Sequence, residues 1–285
     1  MLRRTLLVLT ALTAWCSLRA QVLPNYALFD AKGKPLSHKR LLKLVDGADI
    51  VLFGELHNNP IAHWLQLELA RHMATRGPLV LGAEMLEADD QATLDRYLRG
   101  GIDSKALDTL ARLWKNHATD YAPLVDLAKE KGIPVIATNV PRRYARAVST
   151  GGFAALDTLS AGQRTWVAPL PIAYDAALPG YVKMLGMMGD HASPTMAQAQ
   201  ALKDATMAHF IAQHATKGKH FLHINGSFHS DFQEGIGWYL QRFAPALERV
   251  TIATVAQSGL NQLQAESLGQ ADIILVVDED VPGSY

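Results

Sequence analysis

Cysteine is nearly absent: Cys16 is the only one in 285 residues, and it stands at the end of the apolar stretch Leu6 to Trp15. Arg3 and Arg4 precede that stretch and Ser17-Leu18-Arg19-Ala20 follows it, which is the three-part layout of a secretory signal. Cleavage after Ala20 is the expectation, with residues 1–20 as signal peptide and 21–285 as an exported, periplasmic chain forming one domain. That chain has no cysteine, which excludes disulfides and thiolate metal sites and leaves any metal to nitrogen and oxygen ligands. A lipoprotein signal would instead acylate Cys16 and anchor the protein at the outer membrane. Its surroundings are unlike such a signal, with Thr13 where Leu is usual and the bulky Trp15 directly before the cysteine. No later segment approaches the ~20 apolar residues of a spanning helix, so a lipid on Cys16 would be the only membrane attachment.

An excess of either charge is also missing. Lys and Arg number 27 against 27 Asp and Glu, and loss of Arg3, Arg4 and Arg19 takes the net charge to −3. Dense basic patches with interleaved aromatics are absent, which excludes the electrostatic footprint of a nucleic-acid binder. There is no repeat of 20–50 residues and no low-complexity tract. A small-molecule ligand is the expectation.

Present in quantity are short apolar runs separated by helical patterns. Residues 49–53, 79–82, 133–137, 220–224, 249–255 and 272–277 read as buried strands, and an opening strand lies near Asn25 before a turn at Lys32-Gly33-Lys34-Pro35. Ser37 is the expected N-cap of a short helix, and Pro60 the start of another running to Thr75. Strand and helix alternate throughout, so the fold class is α/β: a mostly parallel central sheet with helices on both faces. The proline-broken, helix-rich stretch from about 150 to 216 is expected to form a helical cap.

Two strands end in matching tetrapeptides, Gly54-Glu55-Leu56-His57 and Gly226-Ser227-Phe228-His229, and a third ends in Ala83-Glu84. Open α/β sheets carry their sites just past the carboxyl ends of the strands, so Glu55, His57, Glu84 and His229 are the candidate catalytic residues. His57, Glu84 and His229 are also candidate ligands of a divalent metal, although the same groups serve equally as a metal-free base and orienting acid. Gly-Ser-Phe-His lacks the Gly-x-Ser-x-Gly pattern of a nucleophile elbow, which argues against an acyl-enzyme at Ser227. Arg142 and Arg143, after strand 133–137, are candidates for clamping an anionic group, with Arg142 preferred. Residues 181–191 combine Tyr181 and His191 with Met184, Met187 and Met188. A packing stripe explains them, as does a soft surface for a flat ligand, with Tyr181, Tyr174 or His191 ligating haem iron.

In order and spacing, Gly54-Glu55-Leu56-His57-Asn58-Asn59-Pro60, Gly82-Ala83-Glu84-Met85-Leu86-Glu87, Asn139-Val140-Pro141-Arg142, Lys203-Asp204-Ala205-Thr206-Met207-Ala208 and Asn225-Gly226-Ser227-Phe228-His229 resemble the ChaN-like haem-binding uptake family. The likeness runs from about residue 45 to 255. The resemblance implies an exported, often lipid-anchored protein of iron acquisition, in which a tyrosine ligates haem and a homodimer stacks two haems face to face. That family is similar in turn to the Tiki, TraB and erythromycin-esterase group, which implies the alternative of a metal-dependent hydrolase acting on an ester or peptide bond. The second motif departs from the family's Gly-x-Gly-His.

Overall fold

A computed structural model describes residues 24–285; the expected signal peptide and Cys16 lie outside the described residues. Among the described residues seven strands form one sheet in the order β1-β7-β6-β2-β5-β3-β4. They are β1 (Tyr26–Asp30), β2 (Ile50–Glu55), β3 (Leu79–Glu87), β4 (Val135–Asn139), β5 (His220–Gly226), β6 (Arg249–Gln257) and β7 (Ile273–Asp278). Only β1 runs antiparallel, against β7 at one edge. Every other pair is parallel, and each parallel pair needs a crossover.

The strands are apolar on both faces. Along β2, Val51 and Phe53 face one core while Ile50 and Leu52 face the other, the period-2 alternation of a strand covered on both sides. The first core is closed by α1 (His38–Asp46), α2 (Pro60–Ala74), α3 (Gln91–Leu98), α4 (Ser104–Leu110) and α5 (Ala122–Lys131). Ser37 caps α1, its side chain accepting from the Arg40 amide. Asn59 does the same for α2 toward Ala62, with Pro60 at the first position, where its missing N–H costs nothing.

The second core lies under α6 (Arg142–Gly151), α9 (Pro194–His214) and α10 (Ile236–Phe243). The stretch expected as a cap therefore divides. Its last part, α9, is a layer helix lying against the sheet between α6 and α10. Between α6 and α9, α7 (Ala161–Arg164) and α8 (Pro179–Met188) are short; Val167, Ala168 and Ile172 of their connection enter the second core, and Tyr181 of α8 packs on Ala197 and Ala201 of α9. No helix among the described residues is long and apolar enough to cross a membrane.

The strand order positions the site. From β2 the chain steps past an empty lane to β3 and β4, and β5 then returns to fill that lane before the chain continues to β6 and β7. The carboxyl ends of β2, β5 and β3 are thereby neighbours, with Glu55 opposite Gly226 and Ala83 opposite Ile224.

Candidate functional site

Glu55, the last residue of β2, is buried and fully engaged. Its Oε1 accepts from His57 Nδ1 at 2.9 Å and from the Tyr121 hydroxyl at 2.6 Å, and its Oε2 accepts from Gln66 Nε2 at 2.5 Å. His63 Nε2 lies 3.3 Å from the same Oε2, and His63 Nδ1 lies 3.6 Å from Asp120 Oδ2. Burial alone would raise the Glu55 carboxyl, but these hydrogen bonds outweigh it and hold the group below the usual carboxylate range. The turn after β2, closed by Asn59 N–H donating to the Leu56 carbonyl at 2.8 Å, lifts His57 over the strand end, its ring edge-on to Trp114 at 4.8 Å.

Glu84 is placed by β3 beside the first turn after β5. Its Oε2 accepts the Gly226 amide at 2.7 Å and its Oε1 pairs with His229 Nε2 at 3.1 Å. On the other side of the ring, His229 Nδ1 donates to Asp204 Oδ1 at 2.5 Å, and Asp204 also accepts from the Tyr181 hydroxyl at 2.8 Å. Burial would lower the His229 imidazole, but the two carboxylates push it up to about 10, so it is an imidazolium at neutral pH. Glu84 is likewise held far below its ordinary value, its burial overcome chiefly by the His229 charge. The backbone leaves no slack here: a Cβ on Gly226 would sit 2.7 Å from His57 Nε2.

These residues open into a cavity of about 400 Å³ lined by Glu55, His57, Gly226, Phe228, His229 and Tyr285 among others. The four strand-end residues read from sequence thus converge. The polar atoms of this set are already engaged with one another. His229 has both ring nitrogens committed as donors, His57 gives Nδ1 to Glu55, and both Glu84 oxygens are taken. Among the described residues no group of three or more His, Cys, Asp or Glu is arranged to hold an ion; His57, Glu84 and His229 stand in a hydrogen-bonded acid–imidazole network.

Arg142 stands at the carboxyl edge of β4 but does not line this cavity. Its side chain is 75 % exposed, with Nε 3.9 Å from Glu87, while its backbone N–H donates to Glu87 at 3.1 Å. Arg143 pairs with Asp89 at 2.5 Å, in an acidic cluster that Arg112 also joins. Of the tyrosines, Tyr181 is buried with its hydroxyl given to Asp204; burial and that carboxylate push the phenol far up, away from tyrosinate. Tyr174 stacks on it at 6.0 Å, and His191 is exposed in the turn after α8. Asp204 escaped the sequence reading as a site residue, yet it had a signal. It lies in the stripe Ala197, Ala201, Asp204, Ala208, Ile211, where a carboxylate at an otherwise apolar helical spacing must be paired.

A doubly wound α/β sheet with acid–imidazole pairs at the ends of its central strands defines the class. The chain belongs to the family described as haem-binding uptake, Tiki superfamily, ChaN, which it matches over residues 41–240. Among solved structures it is similar to the ChaN of Campylobacter jejuni with cofacial haem, at a TM-score of 0.67 and 17% identity over 89% of this chain and 97% of that one, a likeness of fold. An erythromycin esterase, EreC, in its open conformation, gives a TM-score of 0.45 at 12% identity, over 88% of this chain and 83% of that one. The chain is also 23% identical over 214 residues to the chloroplastic protein RETICULATA-RELATED 5 of Arabidopsis thaliana, spanning 67% of this chain and 29% of that protein's length.

Proposed function

We propose that this protein is an exported haem-binding protein of iron uptake, with residues 21–285 as one domain and the leader 1–20 as its route out. The observation that carries the reading, beside family membership, is an apolar ledge next to the acid–imidazole cavity. Phe228 is 39 % and Phe232 44 % exposed, and Val182, Met187 and Met188 of α8 are also exposed. Lys183 Nζ lies 5.9 Å from the centre of the Phe228 ring, which joins α8 to this ledge. Phe232 is held at φ +57, a conformation a bulky residue adopts only under constraint, and its ring faces solvent. Exposed aromatic and methionine surface with one cation fits a flat apolar macrocycle carrying carboxylates. Phe228 would hold the ring and Lys183 a propionate; bound haem would supply a ferric iron. A lipid on Cys16 and a homodimer with stacked haems belong to the same reading.

Titration of the purified mature chain with haemin, followed by absorption, tests it. Saturable one-to-one uptake that falls on Phe228→Ala is the expected result, and a featureless, unsaturable titration refutes it.

The buried network favours a second reading, a hydrolase of esters or peptide bonds, because a porphyrin seat needs no ordered acid–imidazole pairs. His57, oriented at Nδ1 by Glu55 and raised above its ordinary basicity by those carboxylates against the effect of burial, takes a proton at Nε2 from water adding to a carbonyl. Turnover of a nitrophenyl ester that is lost in His57→Gln supports this reading, and equal turnover by the variant removes it.

A further inference from the structure

A second cavity, of about 240 Å³, lies between α2 and the turn His117–Tyr121 that leads into α5, and it shares no lining residue with the strand-end cavity. Its walls are mostly apolar, with Trp64 and Leu67 of α2 and the prolines that begin the two helices, Pro60 and Pro123. Three polar residues interrupt them: His63, Thr119 and Asp120. Among the described residues no lysine or arginine lines this cavity. An apolar pocket with a few converging polar groups is the usual form of a small-molecule site.

Asp120 decides what would fill it. The residue is 8 % exposed, and its Oδ2 is occupied, accepting from Asn116 Nδ2 and from the Ser284 hydroxyl, each at 2.7 Å. His63 Nδ1 stands 3.6 Å from the same oxygen, too far for a hydrogen bond, and both nitrogens of this equally buried ring lack one. Among the described residues no hydrogen bond reaches Asp120 Oδ1. A nine-tenths buried carboxylate with one oxygen unpaired calls for a donor, because buried polar groups in native folds nearly always have a partner. Thr119 adds a second acceptor: its hydroxyl donates to the Asn116 carbonyl at 3.1 Å, which leaves the oxygen lone pairs free. The two helix starts do not reverse this preference for a cation. Proline has no N–H, so the first turns of α2 and α5 offer an anion few donors.

Independently of what occupies the strand-end cavity, we propose that this second cavity binds a small organic cation, a primary ammonium carrying an apolar or aromatic group. The ammonium donates to Asp120 Oδ1 and to the Thr119 hydroxyl oxygen, and the apolar group packs against Trp64 and the two prolines.

Calorimetric titration with three probes of similar shape tests it: phenethylammonium, the neutral 2-phenylethanol and the anion phenylacetate. The wild-type chain is expected to bind phenethylammonium saturably, one to one, and at least about tenfold more tightly than either of the others. In isotope-labelled protein the Trp64 indole and Thr119 amide NMR signals shift on binding, while those of Phe228 stay. Asp120→Asn and Trp64→Ala each weaken binding by roughly tenfold. Should Asp120→Asn fail to fold, Trp64→Ala carries the comparison, since that side chain is largely exposed. Equal affinity for the alcohol or the carboxylate overturns the assignment of a cation. Signal shifts centred on His57 and Phe228 put the probe in the strand-end cavity and overturn the site. Full affinity in a folded Asp120→Asn variant, or no saturable binding of phenethylammonium by the wild type, overturns it as well.

Discussion

Asp204→Asn is the substitution that most directly tests the buried network. Asp204 neutralises the His229 imidazolium at 2.5 Å and accepts the Tyr181 hydroxyl at 2.8 Å, all three groups being buried. Stripping a buried ion of its only partner costs about 3–5 kcal/mol. Glu84 still faces the other ring nitrogen at 3.1 Å, so roughly half of that, ~2–3 kcal/mol, is expected here. In urea, with a slope near ~3 kcal/mol per molar for a chain of this size, the midpoint falls by about 1 M at pH 6. The pH dependence has a definite sign. His229 is raised from 6.5 to about 10 in the folded state, so its contribution is complete below pH 6.5 and is lost as pH rises through about 10. The variant has a lower imidazole pKa and loses that contribution earlier, so the gap between the two proteins narrows between about pH 7 and pH 10. A loss under about 0.5 kcal/mol at pH 6, or a gap that stays constant to pH 10, would refute the ionic network.

Gly226→Ala drives a methyl to 2.7 Å from His57 Nε2. The half-exposed ring swings outward at a cost of about 1 kcal/mol, and the His57 imidazole signals in NMR shift while those of His229 stay. Gly54→Ala meets the fixed backbone instead, at 2.9 Å from Ser227 Cα and 3.1 Å from the Ile252 carbonyl. It costs about 2–3 kcal/mol, seen as a melting temperature lower by roughly 5–10 °C; an unchanged melt contradicts that tight crossing. Asp231 is pushed by burial up to about 7, although Gln270 donates to it and Lys183 lies nearby. A carboxyl raised from 3.8 loses its stabilising contribution as pH rises through about 7, so Asp231→Asn gains about 2–4 kcal/mol on the wild type between pH 4 and pH 8. Parallel stability profiles for the two proteins would show that Asp231 is solvated as an ordinary carboxylate.

Much of the molecule follows from local pattern. Runs such as Ile50 to Phe53 and Phe221 to Ile224 are buried along their whole length, because a strand covered by helices on both faces has no solvent side to encode. Ser37 and Asn59 cap α1 and α2 as their side chains dictate, since the unpaired amides of a first turn take the nearest oxygen. Glu55 and His57 meet because they are two residues apart at the end of a strand, and the strand-end glycines Gly54 and Gly226 mark where backbone and side chains approach.

Other features depend on distance in space alone. Sequence by itself determined that there would be a parallel sheet with acids and imidazoles at one edge, because apolar periodicity and glycine placement are local properties. Only the tertiary structure decided that β5 would enter between β2 and β3, which is what sets Glu84 against His229 across 145 residues of chain. It brought Asp204 from the middle of α9 and so turned His229 into an imidazolium held between two carboxylates. It also gave the Tyr181 hydroxyl to that same carboxylate, and placed Tyr285 beside His57. Charge state and accessibility are set by neighbours that folding supplies, and no window of sequence contains them.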